Sequence, residues 1–299
     1  MEKKKMIEAV LKLYEKTATN IPEDVLEALK NAKSRETNQN ANGILLDIIK
    51  NCSIAKEKKL PICQDTGIPI FYIEYGDNFS QDELKKIIIE ATCIATKSVP
   101  LRPNSVDSLN GKNSNDNTGN GIPQIYFTQK KGKDLKISLL LKGGGSENIG
   151  KRYSLPDALL NAQRNLNGVR KCVLDAIFQA QGKGCPPEIA SVCIGGSKDL
   201  ISFYAKKQLL ENIGRENENT ELDGLEKRIL KEGNSLGIGP MGLGGENTLL
   251  DVKILALHRH PASYFVEVLF SCWALRRNTI RINEMGEIKY EDYKLEYPY

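Results

Sequence analysis

The sequence predicts a mixed α/β fold of the α+β kind, and three observations lead there. Amphipathic helical segments alternate irregularly with short β-branched or aromatic runs. Apolar residues make up 40% and charged residues 27% of the chain, the balance of an ordinary globular protein rather than a disordered or fibrous one. No internal repeat or linker interrupts the pattern. At 299 residues, the chain is expected to form one large domain over 1–299, or two lobes.

Residues 6–50 read as helices. Ile7, Val10, Leu11 and Tyr14 recur on one face. Pro22 with Glu23 and Asp24 suits a helix first turn, where the missing N–H costs nothing and acid favours the dipole. Leu60 to Gly67 forms a compact polar turn before a strand at Ile70–Tyr75. Asp82–Lys97 returns to helix. Residues 103–123, rich in Asn, Ser, Gly and Asp, read as a long loop of the functional or mobile kind. Strands follow at Gln124–Thr128 and Leu135–Leu141, then a glycine loop over Lys142–Asn148. Residues 157–180 read as helix and Ser191–Ile194 as a short strand. Residues 198–233 are a charged helical region with a mobile turn around Asn212–Thr220. Leu236–Asn247 is glycine-rich, Ile254–Cys272 has strand character, and Arg276–Tyr299 is a polar, aromatic tail.

Several classes are excluded at this point. Forty-two Lys+Arg against 38 Asp+Glu leave a net charge of +4, too balanced for a nucleic-acid partner. No apolar run approaches the length that spans a bilayer. The basic start, Met1-Glu2-Lys3-Lys4-Lys5, leads into an acid-containing amphipathic helix, unlike a signal or transit peptide. A cytoplasmic location is expected.

Seven cysteines, with no Cys-x-x-Cys pair, form neither a disulfide framework nor a zinc knuckle. Cys52, Cys93, Cys172 and Cys193 lie in helix or strand patterns and read as packing residues. Cys63 in Cys-Gln-Asp-Thr-Gly, Cys185 in Gly-Cys-Pro-Pro and Cys272 in Ser-Cys-Trp-Ala-Leu-Arg-Arg each lie at the end of an apolar or turn segment. Three separated thiolates of this kind suit a four-iron cluster with one iron open, or else simple burial. Gly143–Gly145 could form a backbone nest for a carboxylate. Gly145-Ser-Glu-Asn-Ile-Gly-Lys151 imitates a phosphate-binding loop, but Arg152 replaces the hydroxyl that would hold magnesium. His258 and His260 could chelate metal or move protons. Arg102 and the pair Arg276-Arg277 could fork onto carboxylates, or be surface solvation.

Together these segments resemble one family. Cys-Gln-Asp-Thr-Gly, Pro-Leu-Arg, Asn-Thr-Gly, Lys-Gly-Gly-Gly-Ser-Glu-Asn, Cys-Pro-Pro, Ile-Gly-Gly, Leu-Gly-Ile-Gly-Pro-Met-Gly-Leu-Gly-Gly and Cys-Trp-Ala-x-Arg-Arg occur in the order of the α-subunit of class I, iron–sulfur fumarate hydratase and its sister, L(+)-tartrate dehydratase. The resemblance covers about residues 10–290. It implies two lobes around a [4Fe–4S] cluster held by Cys63, Cys185 and Cys272. It implies catalytic roles for Asp65 and His260, and dicarboxylate binding by Gln64, Arg102 and the backbone around Gly145. The reaction it implies is reversible addition of water to fumarate, giving L-malate. A separate β subunit would supply the rest of the cavity, in an α2β2 assembly.

Gly245-Glu-Asn and Phe265 depart from the fumarase pattern, and Arg259-His-Pro leans toward tartrate dehydratase. The same-class alternative is therefore dehydration of tartrate to oxaloacetate. Different-class alternatives are a nucleotide-binding module, which Arg152 argues against, and a non-catalytic iron–sulfur protein.

Overall fold

The computed structural model describes residues 3–295. In chain order its helices are α1 (Lys3–Thr19), α2 (Glu23–Arg35), α3 (Gln39–Lys58), α4 (Gln81–Ser98), α5 (Gly144–Asn148), α6 (Leu166–Ala180), α7 (Lys198–Lys207) and α8 (Thr220–Asn234). Its strands are β1 (Ile68–Tyr75), β2 (Gln124–Gln129), β3 (Leu135–Lys142), β4 (Lys151–Ser154), β5 (Glu188–Ile194), β6 (Leu249–Ala256), β7 (Phe265–Ser271), β8 (Arg276–Ile282) and β9 (Ile288–Glu291). The mixed α/β expectation holds. The chain divides into two compact units, one built from the segments up to Pro22, Lys50–Gly144 and from Ala274 onward, the other from Glu23–Ile49 and Gly145–Trp273.

The first unit is a five-stranded sheet in the order β2-β1-β3-β8-β9. Only β1 and β2 run parallel, and α4 lies in the crossover that a parallel pair requires. Helices α1 and α4 cover one face. Val10, Leu13 and Tyr14 of α1 and Ile88, Ala91 and Ala95 of α4 pack on Phe71, Ile73, Ile137, Leu139 and Ile280. Tyr14 meets Phe71 edge to face and shares a 2.7 Å hydrogen bond with Thr92, so its polar end is satisfied inside the core. Ser80 caps α4, accepting from the Glu83 N–H, with Asp82 and Glu83 in the first turn.

The second unit is a four-stranded sheet in the order β4-β7-β5-β6, with β5 and β6 parallel. Helices α6 and α8 cover one face through Val169, Val173, Ile177, Leu222 and Ile229. On the other face of β5, the Ser191 hydroxyl donates to the Ala205 carbonyl of α7 at 2.6 Å. This inner strand, with a parallel neighbour, is thus buried on both sides, as strands of parallel pairs commonly are.

Several segments differ from the sequence reading. The helix expected from 157 begins only at Leu166. Before it, Asp157 accepts the Leu160 N–H at 3.0 Å and bridges to Ala162, a side-chain turn that competes with helix. The strand character of 254–272 is broken by an eight-residue loop over 257–264, where Pro261 lacks a ladder donor. Lys151–Ser154 and the tail segments Arg276–Ile282 and Ile288–Glu291 are strands; the arginines of β8 hid its alternation, although most of that strand is buried. The turn around 212–220 is tied down: Asp24 accepts the Ile213 N–H at 2.7 Å and Asp251 the Gly214 N–H at 3.1 Å.

Candidate active site

In the first unit, Cys63, Gln64 and Asp65 share the turn between α3 and β1. Asn51 of α3 donates to the Ile62 carbonyl at 2.8 Å, fixing where the turn begins. The Asp65 carboxylate is held at both oxygens: Oδ1 accepts the Gly67 N–H at 3.0 Å and Oδ2 the Gly144 N–H at 2.8 Å. Thr66, almost wholly buried, accepts the Arg102 N–H at 2.9 Å and an Asn104 side-chain N–H at 3.2 Å. Buried Asn117 donates to the Arg102 carbonyl at 2.9 Å. The main chain at Arg102 is therefore pinned to the Cys63 turn while its side chain and that of Gln64 are exposed. The 103–123 loop carries its own hydrogen bonds, including Ser105 to the Thr118 carbonyl at 2.9 Å.

In the second unit, Cys185 closes the turn after α6. Its φ of +58° is unusual for a residue with a side chain and marks a place held by its surroundings. A Cβ on Gly184 would fall 1.9 Å from Glu188 Oε1, so a side chain there would require the Glu188 carboxylate to move. The Trp273 N–H donates to the Cys185 carbonyl at 3.4 Å, which brings Cys185 and Cys272 together. The glycine loop expected at 236–247 backs this turn. Met241 N–H donates to the Pro186 carbonyl at 2.7 Å, and a Cβ on Gly242 would fall 2.4 Å from Gly182 Cα, so the two backbones touch where only glycine fits.

Gly145 is exposed, and a Cβ there would meet only the Lys183 carbonyl at ordinary contact distance. His260 is exposed on the β6–β7 loop. Its Nδ1 accepts the Ala262 N–H at 3.1 Å, which puts the proton of the neutral ring on Nε2. Arg259 braces that loop, donating to the carbonyls of His260, Pro261 and Ser263 and stacking on Tyr264. Strand β5 separates His260 from the cysteine pair. Cys185 precedes the start of β5 and Ser271 pairs near that start, whereas Ala256, before the His260 loop, pairs with its end. Seven residues of strand span roughly 20 Å.

The cysteines sort by environment, and none is in a disulfide. Cys52, Cys172 and Cys193 are buried, and burial pushes their thiols up to about 11, 12 and 12, which disfavours the thiolate that binds metal. Cys93 sits 3.7 Å from Asp116. Cys63, Cys185 and Cys272 are half-buried, and as soft donors at partly open turns they suit an iron–sulfur group. Within either unit, no three His, Cys, Asp or Glu side chains of the described residues are gathered closely enough to hold a metal ion.

Some contributors escaped the sequence reading. Thr66, Gly182 and Glu36 each look ordinary in sequence. Glu36 is buried and accepts the Glu246 N–H and the Asn247 side chain at 2.7 Å, anchoring the end of the glycine loop. Arg276 was legible as a carboxylate partner or a solvated surface residue, but it is 2% exposed. The imitation phosphate loop is no such loop: Gly144–Asn148 is one short helical turn, and Lys151 and Arg152 open strand β4.

The mixed α/β architecture is consistent with a hydro-lyase α domain. The fumarate hydratase (Fumerase) family profile matches residues 7–281. The chain belongs to that family. It is 45% identical, over 95% of its length, to a protein of Geobacillus stearothermophilus provisionally named class I fumarate hydratase, of which it spans 56%. It is 39% identical over 93% of its length to a Methanocaldococcus jannaschii protein provisionally named L(+)-tartrate dehydratase subunit alpha, of which it spans 98%. It is 32% identical to the Escherichia coli K12 L(+)-tartrate dehydratase subunit alpha, over 93% of this chain and 91% of that one. No helix among the described residues is long and apolar enough to cross a membrane.

Proposed function

We propose that this chain is the α component of a two-component, [4Fe–4S]-dependent fumarate hydratase that interconverts fumarate and L-malate. The observation that carries the reading is the Cys63-Gln64-Asp65 turn, where a half-buried thiol and a carboxylate held by two backbone donors lie two residues apart. Cys63, Cys185 and Cys272 would hold the cluster. When bound, the cluster supplies a Lewis-acidic iron for the oxygens of the substrate.

The remaining work falls to the chain's own groups. Asp65 takes and returns a proton at a carboxylate oxygen. Arg102, its main chain fixed and its side chain free to turn outward, forks onto a substrate carboxylate. The Gln64 amide and the backbone N–H of Gly145 add hydrogen bonds that stabilise the negative charge built up beside that carboxylate. His260 offers Nε2–H. Because it lies at the far end of β5 from the cysteine pair, it reaches a substrate held there only from a second copy of the chain, which a symmetric α2β2 assembly supplies. The names of the relatives, subunit alpha, support a β partner that completes the cavity. Reduced thiols and an exposed cluster suit the cytoplasm.

Anaerobic co-purification with the β partner, followed by assays on fumarate, L-malate and both tartrates, tests the proposal. Turnover of fumarate and malate above the tartrates is expected. Preference for L(+)-tartrate would move the reading to the sister enzyme, and a cluster-loaded complex inert on all four would overturn it.

A further inference from the structure

Arg276 opens β8 directly opposite Leu141 of β3, two residues before Gly143. It is among the largest fully buried side chains of the described residues. Its Nη1 donates to the main-chain carbonyl of Asp65 at 2.5 Å. Gly143 lies between the two side chains: a Cβ there would sit 3.0 Å from Asp65 Oδ2 and 3.5 Å from Arg276 Nη2. The next residue, Gly144, gives Oδ2 its hydrogen bond. Among the described residues, Arg276 Nε has no hydrogen-bond partner.

That last detail separates function from packing. A buried guanidinium with an unmet donor is costly, and an apolar side chain of similar size would serve the core better. The arginine does something an apolar residue cannot: it grips the peptide that carries the carboxylate, from an inner strand of the sheet. Glycine at 143 spares the carboxylate a Cβ that would crowd its Oδ2 at 3.0 Å, against the donors that hold it.

We infer that Arg276, with Gly143, is a positioning device for Asp65, fixing the direction in which its carboxylate faces the substrate. The inference rests on the acid–base role proposed for Asp65. Arg276 acts through Asp65 and does not itself touch substrate. Its loss should therefore lower kcat and leave KM nearly unchanged, since a small misplacement of a reacting group is enough to cost about 10²-fold in rate.

The test compares Asp65→Asn, Gly143→Ala, Arg276→Lys and Arg276→Met in the reconstituted complex with its β partner, measuring kcat, KM and iron content. Hydrogen exchange of the peptides covering 63–67 and 143–145 is followed in parallel. Gly143→Ala and Arg276→Met should keep the cluster and KM, lose kcat by about 10–100-fold, and exchange faster in those two segments alone. Arg276→Lys, which retains a donor for the Asp65 carbonyl, should recover part of the loss. If Arg276→Met does not fold, Gly143→Ala decides alone. Normal turnover in Asp65→Asn would remove the acid–base reading itself. A crippled Asp65→Asn beside normal kcat in Gly143→Ala, and in Arg276→Met where it folds, would overturn only the positioning role, as would a rise in KM with kcat intact.

Discussion

The Trp273 N–H donates to the Cys185 carbonyl over 3.4 Å, so the residue after Cys272 is stitched to Cys185 itself. The bond ties two cysteines that are far apart in sequence to one end of the second unit's sheet. Neither is buried as Cys172 and Cys193 are. Anaerobic reconstitution should therefore give a brown protein with about four iron and four sulfide per chain, as cysteine-held cubanes do. Cys63→Ser, Cys185→Ser and Cys272→Ser should each lose it, while Cys172→Ser and Cys193→Ser should keep it. Full iron content in the first three variants would remove the ligand assignment.

Arg102 is held by its backbone through Thr66 and Asn117, which leaves its guanidinium to bind. Arg102→Lys keeps the charge and loses the planar fork, so substrate binding and turnover should both weaken. Thr66→Val removes the acceptor behind the Arg102 N–H and should shift the same parameters in the same direction, by less. Steady-state kinetics on fumarate and malate check both. Unchanged constants in Arg102→Lys would place that residue outside the site.

The His260 reading makes a prediction that separates one copy from two. If His260 serves the cysteine pair of a second copy, then His260→Asn and Cys272→Ser chains, each inactive, should complement when mixed. A random mixture of symmetric dimers would recover up to about a quarter of full activity, because half the dimers are mixed and each has one intact site. No recovery from a mixture shown to exchange subunits would rule out a shared site.

Much of the fold was legible because its signals are local. The apolar periodicity of α1 and α4 and the short apolar and aromatic runs of β1 and β3 need no partner to be read. The site was legible in part for the same reason: Cys63, Asp65 and the glycines stand in short, distinctive strings. What could not be read depends on pairing across the chain. β8 looks like a charged tail until β3 is laid beside it, and only then is Arg276 a core residue gripping the Asp65 turn. Glu36 reads as one more acidic residue near a helix end, yet it is the anchor of the glycine loop, more than two hundred positions away. Asp157 reads as the start of a helix because its side-chain turn leaves no mark on apolar spacing.

A buried carboxyl in the second unit gives the last prediction, on stability. Glu226 of α8 is 8% exposed. Its Oε1 accepts the Ile254 N–H of β6 and, at 2.8 Å, the Asn217 side chain. Burial pushes the carboxyl up from 4.5 to about 7, with nearby Asp251 pushing the same way and the two hydrogen bonds and Lys253 opposing. The unfolded chain releases this proton near 4.5 and the folded one near 7. Between those values the folded state binds the extra proton, so the group's contribution to stability is fully present below the lower value and is lost as pH rises through the upper one. The loss amounts to at most about 3 kcal/mol. Glu226→Gln keeps an acceptor at Oε1 for both donors and cannot ionise. Urea midpoints measured at pH 5 and pH 8 should fall for the wild-type chain relative to the variant. An equal difference between the two proteins at both pH values would show that Glu226 does not titrate in this range.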